Sequence, residues 1–173
     1  MKKTLKRRDI VSLFNALTEM GQPGNSYKKM FSYAVARNLG RLNSVYDAIK
    51  TSSAPEEAFT QGRAKLLRQH AVVDDAGVPL EIPGMPGRVQ VRDMEAFNAA
   101  VEQLREETGQ DKKDQEIDEL LEGTEEVDVY MVDFDYVPEP INPALFVAIE
   151  PMVREPVEDS EPEPAEISAP SVN

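Results

Sequence analysis

Apolar positions in the first half of the chain recur at helical spacing. Ile10, Leu13, Phe14, Leu17 and Met20 share one face of a helix expected from about Arg8 to Met20. The stretch GQPGN breaks it. Ser26 is a suitable N-cap for a second helix over 27–50. Within that helix Phe31, Val35, Asn38, Leu42, Val45 and Ile49 follow alternating four- and three-residue steps, a heptad seam with an asparagine in its middle. TSSAP then turns the chain. Ser53 or Ala54 would cap the next helix, with Pro55 at its first position and Glu56 and Glu57 in the first turn, where the helix dipole favours them. This third helix runs to about His70, with Phe59, Arg63, Leu66, Leu67 and His70 available for packing. So short a turn between two longer helices predicts an antiparallel hairpin.

After residue 71 the period changes. AVVDDAGVPLEI suggests two short extended pieces around an Asp-Ala-Gly turn, PGMPG a loop, and RVQV a short strand. Asp93 can cap a helix to about Glu107 with Met94, Phe97, Val101 and Leu104 inward. Residues 109–126 are acidic with a weak apolar face of Ile117, Leu120 and Leu121, which fits either a marginal helix or a mobile linker. VDVYMVDFDYV is the strongest strand pattern in the chain, with Tyr130, Val132, Phe134 and Tyr136 inward. Asn142 and Pro143 open a last short helix bearing Leu145, Phe146, Ile149, Met152 and Val153. From Arg154 the chain is rich in Pro, Glu and Ser and is expected to be disordered.

The fold class that follows is α+β: an N-terminal helical hairpin or three-helix unit, then a small antiparallel sheet with covering helices, then a disordered acidic C-terminal tail. The expected domains are a basic helical unit over 1–71, a small α+β unit over 72–153 containing the acidic segment 109–126, and the tail 154–173.

Charge sharpens this picture. The net charge is −13, but residues 1–72 carry 13 Lys/Arg against 5 Asp/Glu (+8), and residues 73–173 carry 6 against 27 (−21). The chain lacks cysteine, which excludes a disulfide framework, a thiolate metal site and a cysteine nucleophile. It has one histidine, so the usual triad and zinc constellations are out of reach. No apolar run is long enough to span a membrane. The basic start MKKTLKRRD runs into an amphipathic helix rather than an apolar core segment, so a secretion signal is not expected.

The candidate site residues are therefore surfaces for contact. The seam residues Phe31, Val35, Asn38, Leu42, Val45 and Ile49 form a candidate partner-helix interface. Asn38 would set register by pairing with another Asn across the seam or with a backbone carbonyl; the plainer reading puts it at the edge of a partial seam. Asp118, Glu119, Glu122, Glu125, Glu126, Asp133 and Asp135 form a candidate acidic contact surface able to imitate nucleic acid. Asp133 and Asp135 alternate on the expected strand and, joined by Glu150 or Asp128, raise a Mg²⁺ site, against which stands the lack of a positioned third ligand. The basic set Lys2, Lys3, Lys6, Arg7, Arg8, Lys28, Lys29, Arg37 and Arg41, with Tyr27, Phe31 and Tyr33 among them, could meet phosphates. Basic clusters alone are weak signals, so nucleic acid is not the expected partner.

The order of the pieces carries a resemblance. DIVSLFNAL, a glycine break, FSYAVARNLGRL, a D-D-x-G turn, DMEAFNAAVEQL, VDVYMV and PINPALFVAIEPMV together resemble the small accessory proteins of tailed phages and prophages over residues 5–153. The GMPG insertion and the acidic tail depart from that pattern. The resemblance implies a non-enzymatic protein that acts through protein–protein contact in particle assembly or as a virion component, in the host cytoplasm or the virion. Its partner would be a phage structural protein or a host factor, with homo-oligomerisation a further option. The alternative is an acidic inhibitor of a host defence or DNA-binding protein. No cofactor and no membrane are implied.

Overall fold

The computed structural model describes residues 1–154. The fold is α+β. In chain order its elements are β1 (Lys2–Lys6), α1 (Arg7–Met20), α2 (Lys29–Ser52), α3 (Glu57–His70), β2 (Glu81–Ile82), β3 (Met85–Val89), α4 (Met94–Thr108), α5 (Gln110–Glu122), β4 (Thr124–Asp128), β5 (Val132–Asp133), α6 (Pro143–Ile149) and β6 (Val153–Arg154). The expected disorder of the tail concerns residues 155–173, which lie outside the described residues. Arg154 itself closes β6 and its guanidinium donates to Asp133 at 2.9 Å.

The strands form three two-stranded ladders rather than one sheet: β1 with β4, β2 with β3 antiparallel, and β5 with β6 parallel. β1 was not foreseen, because KKTLK offers only Leu5 to an apolar face. Two compact units result. One combines 1–3, 12–42 and 127–154; the other combines 4–11 and 43–126. This differs from the expected boundary at 71/72, since each unit draws on sequence from both sides of it. The reason is long-range backbone pairing. In the first unit the Val129 N–H donates to the Met1 carbonyl at 2.8 Å; in the second the Arg7 N–H donates to the Gly123 carbonyl at 2.8 Å.

The first unit holds most of the buried apolar side chains. Leu13, Ala16, Leu17 and Met20 of α1 are buried, as are Phe31, Ala34, Val35 and Leu42 of α2, with Val127, Val129, Val132, Val137, Ile149, Met152 and Val153 from the later segments. Full burial of a large apolar side chain stabilises by about 1.5–3 kcal/mol, so this set dominates that unit's stability. In the second unit the buried side chains are Ile10, Ile49, Ala71, Phe97 and Gln110.

α3 packs on α4 in the second unit. Gly62 allows it: a Cβ there would lie 2.7 Å from a Leu104 methyl. Asp93 caps α4 as expected, its carboxylate accepting from the Ala96 N–H at 2.9 Å. α4 ends at Gly109, whose φ of 69° is the left-handed conformation that glycine adopts without strain. α5 follows directly, so the acidic segment is helical through Glu122 rather than a linker. The cap of α3 is Glu56 rather than Ser53 or Ala54. The Glu56 N–H is satisfied by the buried Gln110 side chain at 3.0 Å, and Gln110 in turn donates to Asp114 at 2.6 Å.

The segment VDVYMVDFDYV departs most from expectation. It is β4's end, a stretch over 129–131 outside any ladder, the short β5, and a single 3₁₀ turn over Phe134–Tyr136. Val127, Val129, Val132 and Val137 point inward, while Phe134 and Tyr136 are exposed. A side chain interrupts the strand, as described next.

Candidate interaction surfaces

Asn38 lies on α2 in the first unit and is fully buried. Its amide faces the backbone of Tyr130. The Tyr130 N–H donates to Asn38 Oδ1 at 2.7 Å, and Asn38 Nδ2 donates to the Tyr130 carbonyl at 2.9 Å and approaches Met152 Sδ at 3.4 Å. The side-chain amide thus mimics one residue of a neighbouring strand. It satisfies both polar groups of a half-buried segment that no ladder pairs. No ladder partner is needed at that point, and Tyr130 lies outside the strands.

This corrects the partner-helix reading of the seam. Phe31, Val35, Asn38 and Leu42 are core of the first unit, covered from within the chain. Val45 and Ile49 belong to the second unit, where Ile49 is buried and both line a shallow depression with Arg7, Ala48 and Leu120. The heptad spacing was real, but it served intramolecular packing.

The acidic residues do not form one bare surface. Glu122 takes an ion pair from Lys6 at 2.9 Å and another from Arg8, and Glu125 one from Arg7 at 3.5 Å. The hydrogen bond from Lys6 and the nearby Arg8 charge hold the Glu122 carboxyl below its ordinary range. Asp118, Glu119 and Glu126 are exposed in the same unit. Asp133 and Asp135 belong to the first unit. Asp133 pairs with Arg154, and Asp135 sits in the 3₁₀ turn, its carbonyl accepting from Lys28 at 2.8 Å. The two therefore do not alternate along one strand, and among the described residues no group of three or more His, Cys, Asp or Glu side chains is placed to hold a metal. Also in the first unit, Asp128 accepts from the Met1 amine at 2.8 Å and pairs with Arg41 at 3.2 Å, which lowers its pKa. His70 ends α3 with its ring edge-to-face on Phe97, a packing role.

The second unit carries a surface that sequence reasoning treated only as strands and loops. From Val72 to Val91 no residue is buried. The backbone holds this arm together: Val72 N–H donates to Gln90, Leu80 N–H to Val72 and Gln90 N–H to Leu80, all within 2.9 Å. The Asp74 carboxylate closes the first turn by accepting from Ala76 and Val78, and Gly77, Gly84 and Gly87 adopt positive φ. Its larger apolar side chains face outward, Val78 being 56% exposed, Met85 48% and Leu80 39%. The signal for this was present in VPLEIPGM, apolar residues among turn formers with no helical or strict alternating period.

No helix among the described residues is long and apolar enough to cross a membrane. Comparison with protein-family models, with curated proteins and with solved structures gave no match.

Proposed function

We propose that this protein is a non-enzymatic interaction protein, and that the arm from Val72 to Val91 is what it offers to its partner. One observation carries the reading. A backbone-ordered segment displays Val78, Leu80 and Met85 to solvent instead of burying them. Exposed apolar groups grouped on one ordered element mark protein contact sites more often than chance surface. The setting, a tailed-phage accessory protein engaging a particle component, rests on the resemblance of residues 5–153.

The test is a Leu80→Ser, Met85→Ser double variant. The expected outcome is an unchanged melting temperature, because neither side chain is in a core, together with loss of co-purification with the particle protein that the wild type retains. Co-purification at the wild-type level would sink the reading.

The second reading, an acidic inhibitor imitating nucleic acid, is favoured by exposed Asp118, Glu119 and Glu126 and weakened by the cations already bound to Glu122 and Glu125. It requires that captured host protein be displaced by DNA and released by salt.

A further inference from the structure

We propose that the outward face of α2 in the first unit, with Tyr130 beside it, binds single-stranded nucleic acid. The sequence offered nine basic residues without ordering them. The structure sorts them. Lys6, Arg7 and Arg8 are engaged with Glu122 and Glu125, and Phe31 is core. Of the other six, Lys2 and Lys3 lie in β1, Lys28 donates to the Asp135 carbonyl, and Lys29, Arg37 and Arg41 lie on α2, the last two in a stripe with Met30 and Tyr33. Met30, Tyr33, Arg37 and Arg41 follow one another at three- and four-residue steps along one flank of the buried face of Phe31, Ala34, Val35, Asn38 and Leu42.

The stripe combines the two features that single strands need. The first is a stacking platform. Tyr33 is 49% exposed and meets Tyr130 edge-to-face, with ring centroids 5.4 Å apart. Arg41 lies over the Tyr130 ring at 5.8 Å and holds it in place. The Asn38 bonds fix the Tyr130 backbone beneath this pair. Every base has a π face, so an exposed tyrosine accepts any of them. The second feature is cationic charge along the helix. Arg37 makes no ion pair among the described residues, Lys29 is exposed at the start of α2, and Arg41 is only partly committed to Asp128. Arg37 and Arg41 stand about 6 Å apart along the axis, within reach of neighbouring phosphates. The carboxylate beside the stripe, Asp128, pairs with Arg41 at 3.2 Å and also meets the Arg37 charge, so it offsets part of the cationic charge there; charges farther off are screened beyond about 8 Å at physiological salt. An acidic peptide would use the arginines but would leave the tyrosine and methionine surface without a role.

The experiment is fluorescence anisotropy of the full chain with a labelled oligothymidylate, run as a salt titration and with polyglutamate as competitor. Binding at low salt is expected. Tyr33→Ala should weaken it about tenfold. Arg37→Gln should weaken it and reduce the log–log salt slope by about 0.7. Both side chains are exposed, so both variants should melt as the wild type does. Lack of binding at low salt, or an unaltered affinity in Tyr33→Ala, would overturn the proposal. Displacement by polyglutamate as effective as by unlabelled oligothymidylate would also overturn it and assign the face to an acidic peptide. The outcome does not depend on the arm, which belongs to the other unit, and the Leu80→Ser, Met85→Ser variant should bind the oligonucleotide normally.

Discussion

At the scale of single residues, Asn38 shows how one polar side chain can replace a strand. It pairs both backbone groups of Tyr130 inside the first unit. Asn38→Leu would fill the space but leave the half-buried Tyr130 N–H and carbonyl without the Asn38 partner. We expect a loss of about 3 kcal/mol in chemical denaturation, with an unchanged oligomeric state. Stability equal to wild type, or an altered oligomer, would restore the register reading of the seam. Carboxylates give a second residue-scale expectation. Glu122 is held low by Lys6 and Arg8, and Asp128 by the Met1 amine and Arg41. A carboxyl whose folded pKa is depressed contributes stability that is complete above its ordinary value, and loses it as pH falls through the folded value. Melting temperature should therefore drop below about pH 4.5, the ordinary glutamate value. Glu122→Gln should flatten part of that drop while changing little at pH 7. An acid limb identical to wild type would show that the Glu122 pairs contribute nothing, as many exposed pairs do.

At the scale of elements, the helices were legible, and so were the extended pieces around the Asp74–Gly77 turn and part of β3, whereas β1 and the course of 127–137 were not. The face of α1, the Asp93 cap of α4 and the Asn142–Pro143 start of α6 follow from local chemistry, which sequence displays directly. The strand pattern over 127–137 failed because its inward phase is decided by a residue 92 positions away, Asn38, and no local period encodes that. β1 escaped notice because its pairing partner lies more than a hundred residues on. The seam of α2 was correctly read as spacing, but spacing does not say whether the covering segment comes from the same chain. Gly62 makes an element-scale test. Gly62→Ala gains about 1 kcal/mol of helix propensity but brings its Cβ within 2.7 and 2.8 Å of the two Leu104 methyls, so the Leu104 side chain must shift as a whole and little net change is expected. Gly62→Val adds bulk that Leu104 cannot clear, with an expected loss of about 2 kcal/mol in thermal or urea unfolding. Equal stability of both variants would mean that α3 and α4 are not held at this close approach.

At the scale of the whole molecule, two distributions matter. Opposite charges from the basic start and the acidic later sequence are paired inside each unit, as with Lys6 and Glu122 in one and Arg41 and Asp128 in the other. Buried apolar side chains are concentrated in the first unit. Amide exchange should accordingly be slowest around Leu17, Phe31 and Leu42 and fastest through the arm, whose order depends on exposed backbone bonds. Comparable protection in both would contradict this division of stability. The claim that gives the molecule its purpose is that the arm meets another protein. The most direct measurement is site-specific photo-cross-linking in cells, with the reactive side chain placed in turn at Leu80, at Met85 and at Asp118. The account expects one discrete protein adduct from the first two positions and none from Asp118. An adduct from Asp118 alone would move the contact to the acidic helix and contradict it.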